Sequence, residues 1–570
     1  MNNSGGATLG QFIAARLVEV GCTDYFGVPG DFNMNLMDQL NAEEGLNMVP
    51  CCNELNAGYA ADGYARVKGV GCVVVTFTVG GLSVINAVAG AMSEHLPVIC
   101  ITGIPNSNDF SGDKILHHTV GDIDFTQELR CYQQVTCKAV TIRNLSTANE
   151  LVDSAIAAAL QEKKPVLIQV CCNLATMTHP LFDKQPVPYA LSPKVSNPRS
   201  MEAALEAAFE MLSKSSKPVI LVGPQAKPFR AIEATVNLAE KTKFATAVIP
   251  NAKGAFPETH ETFIGTYWGL VSTPCTAEIV ESASAYVIVG PLFNDYNTVA
   301  FTLLLDESKL IRVDAHRVTV GGKQTYGCVN MSDFLNQLAA KLEPNPTSLK
   351  NFRRMYTPKG LHEVDPKGPL ETSVLYDRVQ DFLKGDHVVM ADTGDCIFWT
   401  QQLKLPYGAG FETQMQYGSI GWSVGACLGC AVGSKPKGKR VLLFVGDGCF
   451  QIGAQELSTM IRMHTNPIIF LLDNAEYVIE EQIHPGSYNK LQDWDYCALA
   501  HAMKGNTDNL WATKITTEQE LVAALEEATG KQKDKLCFLQ CKLDPEDCSP
   551  QLREWGARLA QYNARPPKIN

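Results

Sequence analysis

Asp447 and Asn474 are two oxygen-bearing residues that follow two apolar runs of the sequence. Asp447 lies in a Gly-Asp-Gly turn directly after the run 441–445, and Asn474 closely follows the run 468–472. A carboxylate, an amide oxygen and free loop carbonyl groups are ligands suited to Mg²⁺, which in proteins commonly also binds phosphate oxygens and water. This pair of residues therefore predicts a divalent metal site that holds a phosphorylated ligand.

The segment between the two runs must bring these two residues together. A helix-like stretch extends from Gly448 to about His464 and is ended by Pro467. This β-α-β pattern predicts parallel strands whose carboxyl ends share one edge of a sheet, where open α/β sheets bind ligands. The backbone N–H groups of Gly448 and Cys449 open the helix and are placed to receive a phosphate. The predicted site is thus a metal that holds a diphosphate.

The composition is that of a soluble globular protein. The chain has 570 residues, of which 45% are hydrophobic and 19% charged, and this length suggests roughly three or four domains. The net charge of −12 argues against nucleic acid or an anionic membrane as the main partner. No apolar run approaches the roughly 18 residues that a membrane span needs, and the amino terminus lacks the features of a targeting segment.

The cysteines are expected to be free thiols. The one Cys-x-x-Cys, Cys427 to Cys430, has no second pair to complete a zinc site, and most of the 19 cysteines lie among apolar or small residues. Buried free thiols are typical of a reducing compartment. We therefore predict a cytoplasmic protein.

The predicted fold class is α/β, with three open parallel-sheet domains and two linkers. In the central domain the first strand is followed by Gly223-Pro224-Gln225-Ala226, which is not the glycine fingerprint of a dinucleotide site. This excludes a nicotinamide-dependent dehydrogenase and favours a structural or regulatory central domain. The predicted bounds are 1–185 (first domain), 186–199 (linker), 200–343 (central domain), 344–370 (linker), 371–545 (domain with the metal site) and 546–570 (C-terminal tail).

Residues 53–66 form a helix-like segment rich in small residues, Asn-Glu-Leu-Asn-Ala-Gly-Tyr-Ala-Ala-Asp-Gly-Tyr-Ala-Arg. It resembles the helix of thiamine-diphosphate enzymes that supplies an activating glutamate, which here is Glu54. The resemblance extends over essentially the whole chain and identifies the pyruvate decarboxylase family of 2-oxo acid decarboxylases. The other motifs that carry it are Gly27-Val28-Pro29-Gly30-Asp31-Phe32-Asn33, His117-His118-Thr119, Thr393-Gly394-Asp395, Gly418-Ser419-Ile420-Gly421-Trp422 and Ile479-Glu480.

The resemblance implies a carboxy-lyase that uses thiamine diphosphate and Mg²⁺. Its three domains would be pyrimidine-binding, central and diphosphate-binding. The implied reaction is the non-oxidative decarboxylation of pyruvate to acetaldehyde and CO₂ through an ylide, a covalent adduct and an enamine. The alternative is a decarboxylase of larger 2-oxo acids, such as indolepyruvate or phenylpyruvate. A carboligase of the acetolactate synthase type and a non-catalytic relative are disfavoured by the histidine pair, Glu480 and the retained catalytic set.

Individual roles are likewise implied by the resemblance. Glu54 would bind the aminopyrimidine nitrogen N1′, while Asp31, His117, His118 and Glu480 would surround the substrate and move protons. The cofactor would be bound by Thr393, Gly418, Ser419, Ile420, Asp447, Gly448, Cys449, Asn474 and Ile479. The substrate pocket would be formed by Asp31, His118, Tyr296, Ile397, Ile479, Glu480, Ile483 and Trp555, with the C-terminal tail lying over the active site.

The metal would be held by Asp447, Asn474 and the backbone carbonyl of Glu476. The family commonly has Asn where this chain has Asp473 and Gly where it has Glu476. Asp473 could therefore compete as a ligand, and a positive φ at Glu476 would be strained.

The resemblance also implies the partners. They are a small 2-oxo acid and a second copy of the chain, in a homodimer with shared active sites that pairs into a dimer of dimers. Such a homotetramer would serve fermentation in the cytoplasm, with no nucleic-acid or membrane partner.

Overall fold

The computed structural model describes residues 6–183, 191, 194–358, 365 and 367–567. Within these residues the named strands form three separate sheets, each flanked by helices. The prediction of three α/β units is thereby confirmed. No helix in the described ranges is long and apolar enough to cross a membrane.

The N-terminal sheet is parallel throughout, in the order β2-β1-β3-β4-β6-β5. Its central strands read as continuous apolar runs because helices cover both faces. The strands are β1 (Asp24–Gly27), β2 (Asn47–Pro50), β3 (Gly71–Thr76), β4 (Val98–Ile104), β5 (Lys138–Ile142) and β6 (Val166–Cys171). The helices are α1 (Leu9–Glu19), α2 (Met34–Asn41), α3 (Glu54–Lys68), α4 (Val79–Ser93), α5 (Gln127–Tyr132), α6 (Ala148–Glu162) and α7 (Pro180–Asp183).

The central sheet differs from the prediction because it is mixed rather than parallel. Its order is β13-β12-β11-β10-β7-β8-β9, and the β11–β12 and β12–β13 pairs are antiparallel. The strands are β7 (Pro218–Val222), β8 (Ala245–Val248), β9 (Phe263–Thr266), β10 (Ala285–Val289), β11 (Leu310–Asp314), β12 (Arg317–Val320) and β13 (Gln324–Gly327). The helices are α8 (Pro198–Ser213), α9 (Ile232–Thr242), α10 (Thr276–Glu281), α11 (Met331–Lys341) and α12 (Thr347–Met355).

The C-terminal sheet is parallel, in the order β15-β14-β16-β17-β19-β18. The strands are β14 (His387–Ala391), β15 (Gly410–Thr413), β16 (Arg440–Gly446), β17 (Ile468–Asp473), β18 (Leu510–Ile515) and β19 (Leu536–Lys542). The helices are α13 (Thr372–Phe382), α14 (Asp395–Gln402), α15 (Trp422–Ser434), α16 (Asp447–Gly453), α17 (Glu456–Arg462), α18 (Val478–Ile483), α19 (Tyr496–Lys504), α20 (Glu518–Thr529) and α21 (Pro550–Asn563).

Helix α3 packs directly on α15, which joins the N-terminal and C-terminal sheets. A Cβ atom at Gly63 would lie 2.0 Å from the carbonyl oxygen of Ala426, and one at Gly429 would lie 1.8 Å from that of Ala60. Only glycine permits this separation of the two helices, since any larger residue would collide with backbone. The small residues that follow Glu54 therefore serve helix packing.

The segments predicted as linkers contain structure where they are described. Half of 186–199 lies outside the described residues, and α8 begins within the other half at Pro198. The second, 344–370, contains α12, whose Leu349 and Phe352 are buried against the central sheet. In the tail, α21 packs against α18, and Trp555 is buried at their contact.

Candidate active site

Asp447 lies at the carboxyl end of β16, where the backbone around it donates hydrogen bonds to its carboxylate. Oδ1 accepts from the Gly448 N–H at 2.8 Å, and Oδ2 accepts from the Ala475 N–H at 2.6 Å and from the Asn474 N–H at 3.2 Å. Burial raises the pKa of Asp447 to about 6. The parallel pairing of β16 and β17 thus brings the two predicted ligand residues into contact.

Two further oxygen atoms, from Asn474 and Glu476, converge on the Oδ1 side of this carboxylate. The Asn474 Oδ1 lies 3.0 Å from the carbonyl oxygen of Glu476 and 3.3 Å from Asp447 Oδ1. All three are acceptors, so they repel one another unless the amide turns over to present its N–H group or a cation lies between them. Around octahedral Mg²⁺, with ligands at roughly 2.0–2.1 Å, neighbouring oxygens are about 3 Å apart. The donor set therefore fits a magnesium ion, which would keep the Asn474 oxygen in this orientation.

Asp473, which could have competed as a metal ligand, faces away from the converging oxygens. It is fully buried, with Oδ2 accepting from Gln540 Nε2 at 2.7 Å and Oδ1 pairing with Lys542 Nζ at 3.0 Å. The expected strain is also displaced by one residue, because the positive φ of 57° belongs to Ala475 and not to Glu476. The structure therefore supports neither competition by Asp473 for the metal nor a strained backbone at Glu476.

A small cavity opens beside the oxygens and is lined only by residues of the C-terminal sheet and its loops. Gly448 is required at its rim, since a Cβ there would lie 2.4 Å from the ring of Tyr477. The Cys449 thiol donates to the carbonyl of Thr393 at 3.2 Å. Of the predicted cofactor and metal residues, the cavity contains Thr393, Ile420, Asp447, Gly448, Cys449, Asn474, Glu476 and Ile479.

The Gly418-Ser419 loop is held by contacts that the sequence did not reveal. Gly418 has a φ of 68°, and the Ser419 hydroxyl lies 2.6 Å from that of Tyr59 on α3. The buried Asp392 accepts from the backbone N–H groups of Gly421 at 3.3 Å and Ser423 at 3.0 Å. The signal for Asp392 was available, because it is a carboxylate at the end of a buried strand, directly before Thr-Gly-Asp.

Asp31, His117 and His118 meet above the N-terminal sheet. The His117 Nε2 lies 2.6 Å from Asp31 Oδ2, and the His118 Nε2 lies 3.5 Å from Asp31 Oδ1. The ring of His117 stacks on Phe32 at 5.0 Å between centroids, and His118 has a φ of 62°. One carboxylate between two imidazoles brings three proton-carrying groups together, an arrangement suited to acid–base chemistry.

Glu54 begins α3 and is half-buried. The Asn53 side chain caps this helix by accepting from the Asn56 N–H at 2.8 Å. Glu54 does not line the cavity beside Asp447. Glu480 is exposed on α18, and within the described residues no hydrogen bond or ion pair joins it to the Asp31 cluster.

The predicted pocket residues Tyr296, Ile479, Ile483 and Trp555 belong to one apolar cluster. The carbonyl oxygen of Tyr296 accepts from the indoles of Trp268 at 3.0 Å and Trp555 at 2.9 Å. The Tyr296 hydroxyl is buried without a hydrogen-bond partner among the described residues, and burial raises its pKa. Ile397 is fully buried in the same cluster and does not line the cavity. Trp268 was not anticipated, because it lies far away in the central part of the chain.

Three family models match the chain in succession. They describe the thiamine pyrophosphate enzyme N-terminal TPP binding domain at residues 7–128, the central domain at 205–338 and the C-terminal TPP binding domain at 392–541. Together they cover more than half of the 570 residues.

Curated relatives match the chain over nearly its full length. Pyruvate decarboxylase 2 of Oryza sativa subsp. indica is 52% identical over 99% of this chain and 93% of its own. Pyruvate decarboxylase 1 of Arabidopsis thaliana is 51% identical over 98% of this chain and 92% of its own. Pyruvate decarboxylase 3 of Arabidopsis thaliana is 52% identical over 99% of this chain and 95% of its own.

Proposed function

The chain belongs to the pyruvate decarboxylases of the thiamine pyrophosphate enzyme family, and we propose that it decarboxylates pyruvate to acetaldehyde and CO₂ without oxidation. The observation that carries this function is the full-length identity of about half to several pyruvate decarboxylases. The convergent oxygens of Asp447, Asn474 and Glu476 support it, since they would suit a divalent metal ion beside a cavity in the C-terminal TPP binding domain. The alternative of a larger 2-oxo acid substrate is not favoured by these relatives.

Mg²⁺ and the cofactor diphosphate would be held at the carboxyl ends of β16 and β17. Asp447, the Asn474 side chain and the Glu476 carbonyl would bind the ion, and the segment Gly448-Cys449 would face the diphosphate, with the Cys449 N–H as its donor because the Gly448 N–H already donates to Asp447. The bound thiamine diphosphate would supply the nucleophilic carbon and the electron sink that decarboxylation requires.

Glu54 would hold the pyrimidine ring of the cofactor through a hydrogen bond to its N1′ nitrogen. The Gly418 carbonyl would accept from the amino group of the same ring, and Ile420, which lines the cavity, would fix the angle between the two rings. These residues orient the cofactor and set its protonation, which is the protein's part in activating it.

Proton transfers around the substrate would fall to Asp31, His117, His118 and Glu480. His117 lies 2.6 Å and His118 3.5 Å from the Asp31 carboxylate, so the three groups are close enough to share these transfers. The apolar cluster with Tyr296, Ile479 and Trp555 would exclude water and limit the size of the 2-oxo acid.

A second copy of the chain would complete each site. The cavity beside Asp447 takes no residue from the N-terminal region, while Glu54 lies near α4, where Val79 is 52% and Leu82 37% exposed. Ile452, near the cavity on α16, is 48% exposed. Apolar side chains exposed at both half-sites favour a homodimer with shared active sites. We propose that two such dimers associate to form a homotetramer.

A cytoplasmic role in fermentation is the proposed setting. All 19 cysteines are free, which fits a reducing compartment. The test of substrate identity is competition between pyruvate and phenylpyruvate in the presence of thiamine diphosphate and Mg²⁺. Pyruvate should be turned over with the higher kcat/KM, and preference for phenylpyruvate would reassign the enzyme to the decarboxylases of larger 2-oxo acids.

A further inference from the structure

Residues 475–491 form a closed loop that carries a proposed metal ligand at its base. The loop leaves β17, includes α18 and returns beside its own start. Its base is closed by two backbone hydrogen bonds, from the Tyr477 N–H to the Asn489 carbonyl at 2.9 Å and from the Leu491 N–H to the Ala475 carbonyl at 3.0 Å. Glu476 and Lys490 face each other there as an isolated antiparallel bridge.

The side chains of Glu476 and Lys490 also form an ion pair at this base. The Lys490 Nζ lies 2.7 Å from Glu476 Oε1, and the Glu476 side chain is only 4% exposed whereas that of Lys490 is 63% exposed. Within the described residues, no other ion pair involving Glu476 is found. The neighbouring carboxylate of Glu481 is occupied by Asn489 Nδ2 at 2.7 Å and by the Gly486 N–H at 3.1 Å.

We propose that Lys490 is a positioning residue that sets the affinity for Mg²⁺ by holding Glu476 in place. Glu476 has two roles at one position, because its carbonyl oxygen faces the Asn474 amide oxygen at 3.0 Å and its buried carboxylate pairs with Lys490. This inference rests on the proposed function, since the metal is that of the thiamine-diphosphate site.

The physical reason is the cost of a buried carboxylate without a partner. If Lys490 is neutralised, the Glu476 carboxylate must turn out to water or remain buried and uncompensated. If the Glu476 carboxylate turns out to water, the main chain at Glu476 moves with it, next to Ala475 with its φ of 57°. This movement displaces the Glu476 carbonyl oxygen from the oxygens of Asp447 and Asn474. Residues that orient a metal ligand commonly contribute about 10–100-fold to metal affinity.

In the experiment, the full-length apoprotein is titrated with Mg²⁺ in the presence of thiamine diphosphate, and cofactor binding is monitored by quenching of tryptophan fluorescence. The quantity measured is the Mg²⁺ concentration at which cofactor binding is half-saturated. The variants are Lys490→Met, Lys490→Arg and the double variant Glu476→Gln with Lys490→Met. The matched control is Lys214→Met, which removes an ion pair of the same 2.7 Å length from the exposed surface of the central domain. The thermal midpoint of each apoprotein is measured without Mg²⁺.

Lys490→Met should require about ten-fold more Mg²⁺ than the wild type, while Lys490→Arg and Lys214→Met stay near wild type. The double variant should recover part of the loss, since the unpaired charge is removed together with its partner. The inference would be overturned if Lys490→Met needed the same Mg²⁺ concentration as the wild type. It would also be overturned if the only effect of Lys490→Met were a lower thermal midpoint of the apoprotein. Absence of Mg²⁺-dependent cofactor binding in the wild type would instead overturn the proposed function.

Discussion

The amide oxygen of Asn474 lies 3.0 Å from the backbone carbonyl oxygen of Glu476. Two acceptors this close have no hydrogen to share, and Asp447 Oδ1 is a third acceptor 3.3 Å from the same amide oxygen. The repulsion is relieved if the amide turns over to present its N–H group or if a divalent cation lies between the oxygens, and the proposed metal site corresponds to the second arrangement. The oxygens come from the ends of two parallel strands, so the sheet itself brings the ligands together.

Replacing Asp447 with Asn should abolish tight cofactor binding without unfolding the chain. The variant keeps the shape of the side chain but loses the charge that the cation requires. Since residues that merely support a ligand contribute about 10–100-fold to metal affinity, the loss should exceed about 100-fold. Calorimetric titration of thiamine diphosphate with Mg²⁺ measures it, and circular dichroism checks the fold. Unchanged affinity in the variant would contradict the metal assignment.

Mixing two inactive variants should restore activity if the sites are shared between subunits. In a heterodimer of Glu54→Gln and Asp447→Asn chains, one site carries both substitutions and the other carries neither. Random reassociation should therefore give about a quarter of the wild-type activity. Acetaldehyde release is measured after the variants are dissociated and mixed. If each chain contains its own complete site, the mixture stays inactive.

His117→Gln should lower kcat while cofactor binding stays unchanged. The substitution removes the imidazole that lies 2.6 Å from Asp31, and a positioned acid–base group typically contributes about 10²–10⁴-fold to the rate. The matched control is His501→Gln, which alters an exposed histidine on α19. Steady-state kinetics at saturating cofactor measures the effect. A kcat equal to that of the control would remove His117 from the reaction.

The buried His387 should make the enzyme less stable in mild acid. Burial lowers its pKa to about 4, whereas the value in an unfolded chain is 6.5. As the pH falls from 6.5 towards 4, the unfolded chain binds a proton at this residue and the folded chain does not. Folding stability therefore drops by about 3 kcal/mol across this window, and it is retained above pH 6.5.

The comparison of wild type with His387→Gln isolates this contribution. Thermal midpoints measured between pH 7 and pH 4.5 should fall more steeply for the wild type than for the variant. The exposed His501→Gln serves again as control and should follow the wild type. Parallel curves for wild type and His387→Gln would contradict the lowered pKa, because they would show that the folded and unfolded chains bind this proton over the same pH range.

The sequence predicted the strands that position the metal because they are buried on both faces. The runs 441–445 and 468–472 are continuously apolar, and they became β16 and β17 with the expected parallel pairing. Strands at sheet edges carry no such signal. Residues 317–320 alternate polar and apolar side chains and 324–327 contain no aliphatic residue, so the antiparallel edge of the central sheet has no continuous apolar run and was missed.

Features of the site that depend on contacts between residues far apart in the chain could not be predicted from the sequence. Asp473 is neutralised by Lys542, 69 residues further along the chain, and no local pattern indicates that pair. The positive φ at Ala475 likewise follows from the closure of the 475–491 loop. Ile397 is buried in an apolar cluster that also contains Trp268 and Trp555, which come from two other parts of the chain.

The most direct test of the account is acetaldehyde release from pyruvate by the wild type and Glu54→Gln, coupled to an alcohol dehydrogenase at saturating thiamine diphosphate and Mg²⁺. Glu44→Gln, a change at an exposed site in the same domain, is the control. Wild type and control should release acetaldehyde rapidly and Glu54→Gln should release nearly none, although this variant should still bind the cofactor. Release by Glu54→Gln at the wild-type rate, or no acetaldehyde from the wild type, would contradict the account.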